Sequence, residues 1–206
     1  MNKEKALEAL KKLRQTEKKV KFSQTVDLII NLKNFDAKKE AFNIFIELPH
    51  KIKDKKIAGF LEKKSSLIDS ITKEEFVMNK EKADIKSLVK KYDFFIANAK
   101  LMPVVATSFG RVLGPVGKMP SPQLGVLMTE NDHEIKKLID KINSNTRIRV
   151  KESSIKLAIG NEAMKDESLA ENTVLVYNKV LENLKRGTDN IRNIMIKLTM
   201  DKPIKI

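Results

Sequence analysis

The chain has no cysteine and no tryptophan. Without a thiol there can be no disulfide, no thiolate metal site and no cysteine nucleophile. The two histidines, His50 and His133, are far apart and sit in no ligand-spaced cluster, so each reads as an ordinary surface or turn residue rather than a catalyst. No apolar run approaches the ~18 residues that cross a bilayer. The start, Met1-Asn2-Lys3-Glu4-Lys5, lacks the apolar segment of a signal peptide. A cytoplasmic protein is expected. Aromatic residues make up only 5% of the chain, so its core must be built mainly from Leu, Ile and Val.

Positive charge is abundant. Forty-one Lys and Arg against 27 Asp and Glu leave a net charge of +14 on 206 residues. Such an excess favours polyanionic partners, with nucleic acid the first expectation. It is spread over both ends and the middle, so charge alone does not say which part holds a ligand.

Glycine and proline are scarce, yet four of the seven glycines and four of the six prolines fall between Leu101 and Gly125. Pro103 suits the first turn of a short helix, with Val104, Val105 and Phe109 as its apolar side. Gly110 suits a left-handed helix end. From Gly114 to Pro122 the alternation of Gly and Pro argues against regular structure. A Gly-rich loop carrying Lys118 invites a nucleotide reading. A phosphate-cradling loop, however, needs Gly five residues before the Gly-Lys pair and a hydroxyl after it. Here those positions are Val112 and Met119. A rigid surface loop with basic tips fits the chemistry better.

Ala6, Leu7, Leu10 and Leu13 recur at helical spacing, with Asn2 as a candidate N-cap. A basic run, Lys18, Lys19 and Lys21, follows. Val26, Leu28, Ile30 and Leu32 alternate as in a half-buried strand, and Phe42, Ile44, Ile46 and Leu48 repeat the beat up to Pro49-His50. The polar stretch from Asn34 to Glu40 makes an antiparallel pair compatible but not demanded.

The texture then changes. Residues 57–61 and 94–97 are continuous apolar runs, as in strands buried on both faces, with further candidates at 67–71 and 125–128. Between them Asp84 to Lys91 reads as a helix, and Thr129 can cap another bearing Ile135, Leu138, Ile139 and Ile142. Interleaved strands and helices predict a small, largely parallel sheet. Alternation returns at Ile148 and Val150, then at Ile155, Leu157 and Ile159. A long helix from Asp166 is expected to end at Gly187, and a last strand carries Ile194, Ile196, Leu198 and Met200. The economical architecture is one domain made from both termini with a second inserted in it.

Three elements of the Gly/Pro window carry a resemblance: Leu101-Met102-Pro103, Gly110-Arg111-Val112-Leu113-Gly114-Pro115, and Lys118-Met119-Pro120-Ser121-Pro122. They resemble the signature of the L-one family of large-subunit ribosomal proteins, the proteins of the mobile rRNA stalk. Gly110, Arg111, Gly114, Pro115, Gly117, Lys118, Met119 and Pro120 form that signature loop. Residues 21–27, Leu48-Pro49-His50, residues 155–161 and Lys197-Leu198-Thr199-Met200 are similar to further family segments, the last to its closing Thr-Met-Gly motif. The likeness covers most of the chain and has a short, archaeal look.

The resemblance implies a split α+β terminal domain, residues 1–62 and 149–206, that binds RNA. It also implies an inserted α/β, Rossmann-like domain, residues 63–148, swinging on hinges near 63–66 and 145–149. RNA contacts carried across fall on Lys21, Phe22, Thr25, Lys156, Thr199 and Met200. Phe22 and Met200 would pack on ribose, and the threonines would bond 2′-hydroxyls or phosphates. Read without the family, Phe22 and Met200 would be core residues. The implied role is structural, with no catalysis, cofactor or metal: the protein holds the large-subunit rRNA stalk and helps release deacylated tRNA from the exit site. It would repress its own mRNA, be ribosome-bound, touch no membrane and be a monomer when free. Two rivals stay open, a nucleotide-binding enzyme using the Gly/Pro loop and a nonspecific nucleic-acid binder.

Two departures matter. Asp201 stands where the family has Gly, so either RNA affinity is weakened or the carboxylate turns outward. Between Leu61 and Leu67 there is no room for the family's helix, so the inserted domain is expected to be shortened.

Overall fold

The structure is a computed structural model describing residues 2–15, 20–72, 82–150 and 152–206. Lys18 and Lys19 lie outside the described residues. In chain order the elements are α1 (Lys3–Gln15), β1 (Thr25–Leu32), β2 (Asn43–Glu47), β3 (Ile57–Phe60), β4 (Asp69–Ile71), α2 (Lys82–Lys91), β5 (Phe94–Asn98), α3 (Met102–Val116), β6 (Val126–Leu127), α4 (Asp132–Ser144), β7 (Asn145–Arg149), β8 (Ser154–Asn161), α5 (Asp166–Asn183), β9 (Ile191–Leu198) and β10 (Ile204–Lys205). The chain divides into two compact units, residues 1–53 with 144–206, and residues 54–143.

In the first unit an antiparallel sheet runs in the order β10-β9-β1-β8. The alternation of β1 sends Val26, Leu28, Ile30 and Leu32 to one face, each at most 5% exposed. There they meet Leu10 and Leu13 of α1, Leu169, Ala170, Val176 and Val180 of α5, and Ile155, Ile159 and Ile196 of the flanking strands. Each such burial contributes about 1.5–3 kcal/mol before ordering entropy is charged against it. On α5 the buried stripe also includes Asn172 and Thr173. Asn172 accepts from His50 N (3.2 Å) and donates to His50 O (3.0 Å) and Ile159 O (2.8 Å), which ties the Pro49-His50 corner to β8.

β1 and β2 do not form a hairpin. β1 is central, between β9 and β8, while β2 pairs with β7 in a separate two-stranded sheet. After β1 the chain is led away: Lys33 N donates to Asn190 O at 2.7 Å, Asn34 has φ 53°, and Asp36 closes a turn by accepting from Lys39 and Glu40. The α5 helix stops at Asn183, before Gly187, which takes φ 53° in a following 3-10 turn. β9 stops at Leu198, so Met200 is not in a strand.

In the second unit β4-β3-β5-β6 form a parallel sheet. Ala58, Phe60, Phe95 and Ala97 face Ile85 and Val89 of α2 and Val105, Phe109 and Leu113 of α3. Phe60 stacks on Phe95 at 5.6 Å and meets Phe109 at 5.0 Å. β3 and β4 are joined through residues 61–68 without a helix. Strands this short leave only about 10 Å to retrace, which an extended passage covers. The Ile68 side chain then occupies the space over Gly59, where an added Cβ would lie 2.6 Å from Ile68 Cδ1.

The Gly/Pro window departs from expectation. α3 runs through Gly110 and on to Val116, and the left-handed end is Gly117, φ 79°. Pro103 sits in the first turn as expected. Val105, Phe109 and Leu113, four apart, bury one stripe and carry the helix past Gly110. Pro115 is tolerated in the last turn because its predecessor, Gly114, has no Cβ to clash with the ring. Thr129 does not cap α4. Its Oγ1 bonds the Glu134 carboxylate, and the helix begins at Asp132.

Candidate nucleic-acid interface

The face of the first unit's sheet opposite its core is polar and half-exposed. Alternation places Thr25, Asp27, Ile29 and Asn31 of β1 there. Register sets Asp27 between Lys197 and Ala158, and Ile29 between Met195 and Lys156, with Lys205 beyond Met195. Asn31 donates to Asn193 Oδ1 (2.7 Å) and accepts from Ser154 Oγ (2.8 Å), closing a polar row across three strands. Partial burial pushes the Asp27 carboxyl above its ordinary value, and the Lys197 charge opposes the rise.

At one end of this sheet the two chain ends are stitched together. Thr25 N donates to Thr199 Oγ1 (3.2 Å), whose hydroxyl faces Thr25 O at 3.3 Å. Met200 N donates to Gln24 Oε1 (3.0 Å). Gln24 is fully buried and is itself bracketed by Glu162: its N donates to Glu162 Oε2 and its O accepts Glu162 N, both at 2.9 Å. Lys197 Nζ donates to Thr199 O at 3.1 Å. Beside this stitch Phe22 is 53% and Met200 56% exposed. Neither is a core residue. Two large apolar side chains left in water beside a polar corner are available for contact with a partner.

The structure therefore brings Thr25, Thr199 and Met200 together directly, with Lys21 and Phe22 just upstream on the same segment. Lys156 stands apart, on β8 beside Ile29. Gln24, Glu162, Asn31, Asn193, Lys197 and Lys205 were not anticipated. The outward alternation of β1 and β9 could have found the strand positions. Nothing in the sequence pairs Gln24 with Met200. Asp201 does not turn outward: it is 7% exposed, and its N donates to Leu198 O (3.1 Å) in a turn. Its φ is not positive, so this position does not require glycine.

The signature loop is built into the second unit. Lys118 is not a basic tip. Its Nζ donates to Val89 O and Tyr92 O, both at 2.7 Å, closing the carboxyl end of α2. Met119 packs on the core and Pro120 is buried. Gly125 takes φ 120°, and a Cβ there would lie 3.2 Å from Phe95 O. Gly110 and Gly114 lie on α3, and Arg111 is exposed. With Lys118 committed to backbone carbonyls, no phosphate-cradling loop exists here. Among the described residues no cluster of acidic groups and histidine is disposed to hold a metal, and no helix is long and apolar enough to cross a membrane.

The described residues form two α/β units, the first with a polar sheet face and with Phe22 and Met200 exposed at its edge, features that suit a binding protein. Residues 10–201 match the model of the Ribosomal protein L1p/L10e family. The proteins named large ribosomal subunit protein uL1 of Thermococcus kodakarensis and Pyrococcus horikoshii are 35% and 34% identical over all of this chain and 98% and 96% of their own lengths. That of Nanoarchaeum equitans is 34% identical over 98% of this chain and 99% of its own. The chain belongs to the Ribosomal protein L1p/L10e family, in an archaeal-like form, and it is a structural ribosomal protein rather than an enzyme.

Proposed function

We propose that this protein is a ribosome-bound constituent of the large subunit that grips the stalk region of large-subunit rRNA. The first unit is the RNA-binding domain, expected from the sequence as residues 1–62 and 149–206. The second, expected as 63–148, is the Rossmann-like insertion. Through the stalk the protein assists release of deacylated tRNA from the exit site. It represses its own mRNA where that message imitates the rRNA site.

The observation that carries this reading is the stitched corner. Phe22 and Met200 offer apolar contact to ribose, Thr25 and Thr199 offer hydroxyls, and Lys21, Lys156 and Lys197 supply charge. No bond chemistry is needed. Recognition is of shape and 2′-hydroxyls, with phosphate contacts adding affinity that salt erodes.

The test is a filter-binding titration with a folded stalk rRNA fragment and a scrambled RNA of equal length at several salt concentrations. Tight, salt-dependent binding to the fragment and weak binding to the scramble is the expected result. Equal binding to both would leave a nonspecific binder. Thermal stabilisation by a nucleotide, without RNA discrimination, would favour an enzyme.

A further inference from the structure

The second unit's parallel sheet reverses its winding between β3 and β5: the chain steps from β3 outward to β4 on one side, and from β5 outward to β6 on the other. In open parallel sheets, ligands gather beyond the carboxyl ends of the strands at such a point. Here three donors converge on that spot. Two are the successive backbone N–H groups of Glu62 and Lys63, just past β3. The third is Nδ2 of Asn98, the last residue of β5. Asn98 is 3% exposed, and its Oδ1 accepts Lys100 N at 3.0 Å, which fixes the direction of its amide.

All three donors meet one carboxylate. Glu130 Oε1 accepts Glu62 N at 2.8 Å and Asn98 Nδ2 at 2.6 Å, and its Oε2 accepts Lys63 N at 3.1 Å. Partial burial pushes this carboxyl up, but the bonds from Glu62, Asn98 and Lys63, with the Lys63 charge, outweigh it and hold the group below its ordinary value. Consecutive backbone N–H groups aimed at one point form the kind of concavity that binds phosphate oxygens. Glu130 lies in the loop between β6 and α4, so its side chain reaches in from outside the sheet.

We propose that this is an oxyanion cradle filled by the protein's own carboxylate. Glu130 stands where a phosphoryl group would stand in a nucleotide-binding sheet of this winding. The natural chain therefore takes no phosphate there, and removing the carboxylate opens a site for one tetrahedral oxyanion.

The experiment uses the full chain and Glu130→Ala, with inorganic phosphate, ADP, and chloride at matched ionic strength. Phosphate should raise the Tm of Glu130→Ala saturably, by roughly 3–5 °C at ten times its dissociation constant. It should also shift the backbone amide resonances of Glu62 and Lys63. The natural chain should respond to phosphate no more than to chloride. ADP should act on the variant through its phosphates alone, with no greater effect on the natural chain than chloride. Phosphate or ADP stabilising the natural chain would overturn the internal-ligand reading. Amides of Glu62 and Lys63 unmoved by phosphate in a folded Glu130→Ala would overturn the cradle. If Glu130→Ala does not fold, Glu130→Gln keeps an acceptor without charge, and the Glu62 and Lys63 amide protons should move upfield of their natural positions. Unchanged resonances there would also end the proposal.

Discussion

The buried side-chain oxygen of Gln24 accepts the backbone N–H of Met200 at 3.0 Å, joining positions near opposite ends of the chain. This bond holds the Thr199-Met200 turn against the start of β1. It makes Gln24 a positioning residue, because it is fully buried and reaches the surface through the Met200 backbone. Gln24→Ala should cost about 1–3 kcal/mol of stability, since Met200 N–H loses its acceptor. It should weaken stalk RNA binding as well. In a double-mutant cycle with Met200→Ala, the RNA-binding losses should fall short of additive by at least about 0.5 kcal/mol. Additive losses would mean that Gln24 does not act through the turn.

Met200→Asp and Thr199→Ala should weaken RNA binding much more than Lys118→Ala at one fixed salt concentration. Lys118 closes the end of α2. Its loss should therefore appear as about 1 kcal/mol in the melting of the second unit, with RNA affinity unchanged. Comparable affinity losses from all three would refute the assignment of RNA binding to the first unit.

Asp201 is buried beside the turn without positive φ. Asp201→Gly removes a negative charge near the proposed phosphate path and should raise RNA affinity severalfold at low salt, less at high salt. The added backbone freedom should cost roughly 0.5–1 kcal/mol of stability. Binding curves at two salt concentrations check the first outcome and urea melts the second.

Replacing residues 54–143 by a short Gly-Ser linker should leave a folded module that binds the same RNA. The first unit keeps its own core without them, and Leu48, five residues before the cut, donates its N–H to Ser144 O at 2.9 Å, so a short linker can span from residue 53 to 144. A folded module that fails to bind would count against the assignment.

Glu171 should make the first unit acid-sensitive. Hydrogen bonds from Lys3 (2.8 Å) and His50 (2.7 Å) lower its carboxyl to about 2. A depressed carboxyl stabilises the fold above its unfolded value, and the contribution is lost as pH falls from there through about 2. Thermal melts across that window should show a decline that Glu171→Gln flattens. The effect should be small and should shrink with salt, because the pair is exposed.

Where the signal was local, the sequence was readable. The alternation of β1 and the continuous runs at 57–60 and 94–97 reported their burial directly, because side-chain period follows from backbone geometry. The helix stripe of 105, 109 and 113 was under-read, because Gly110 and Pro115 outweighed it on propensity alone. Lys118 is not a tip, because the carbonyls it reaches lie at the end of a helix more than twenty residues earlier in the chain.

By itself, the sequence determined composition, charge, element type and family membership, all properties of local pattern or of residues in order. Only the folded chain decided partners: that β1 sits between β9 and β8 rather than beside β2, that Gln24 holds Met200, and that Glu130 fills the cradle past β3. A strand's alternation says which face is buried but not which strand lies alongside, because ladder hydrogen bonds are made by backbone groups common to every residue.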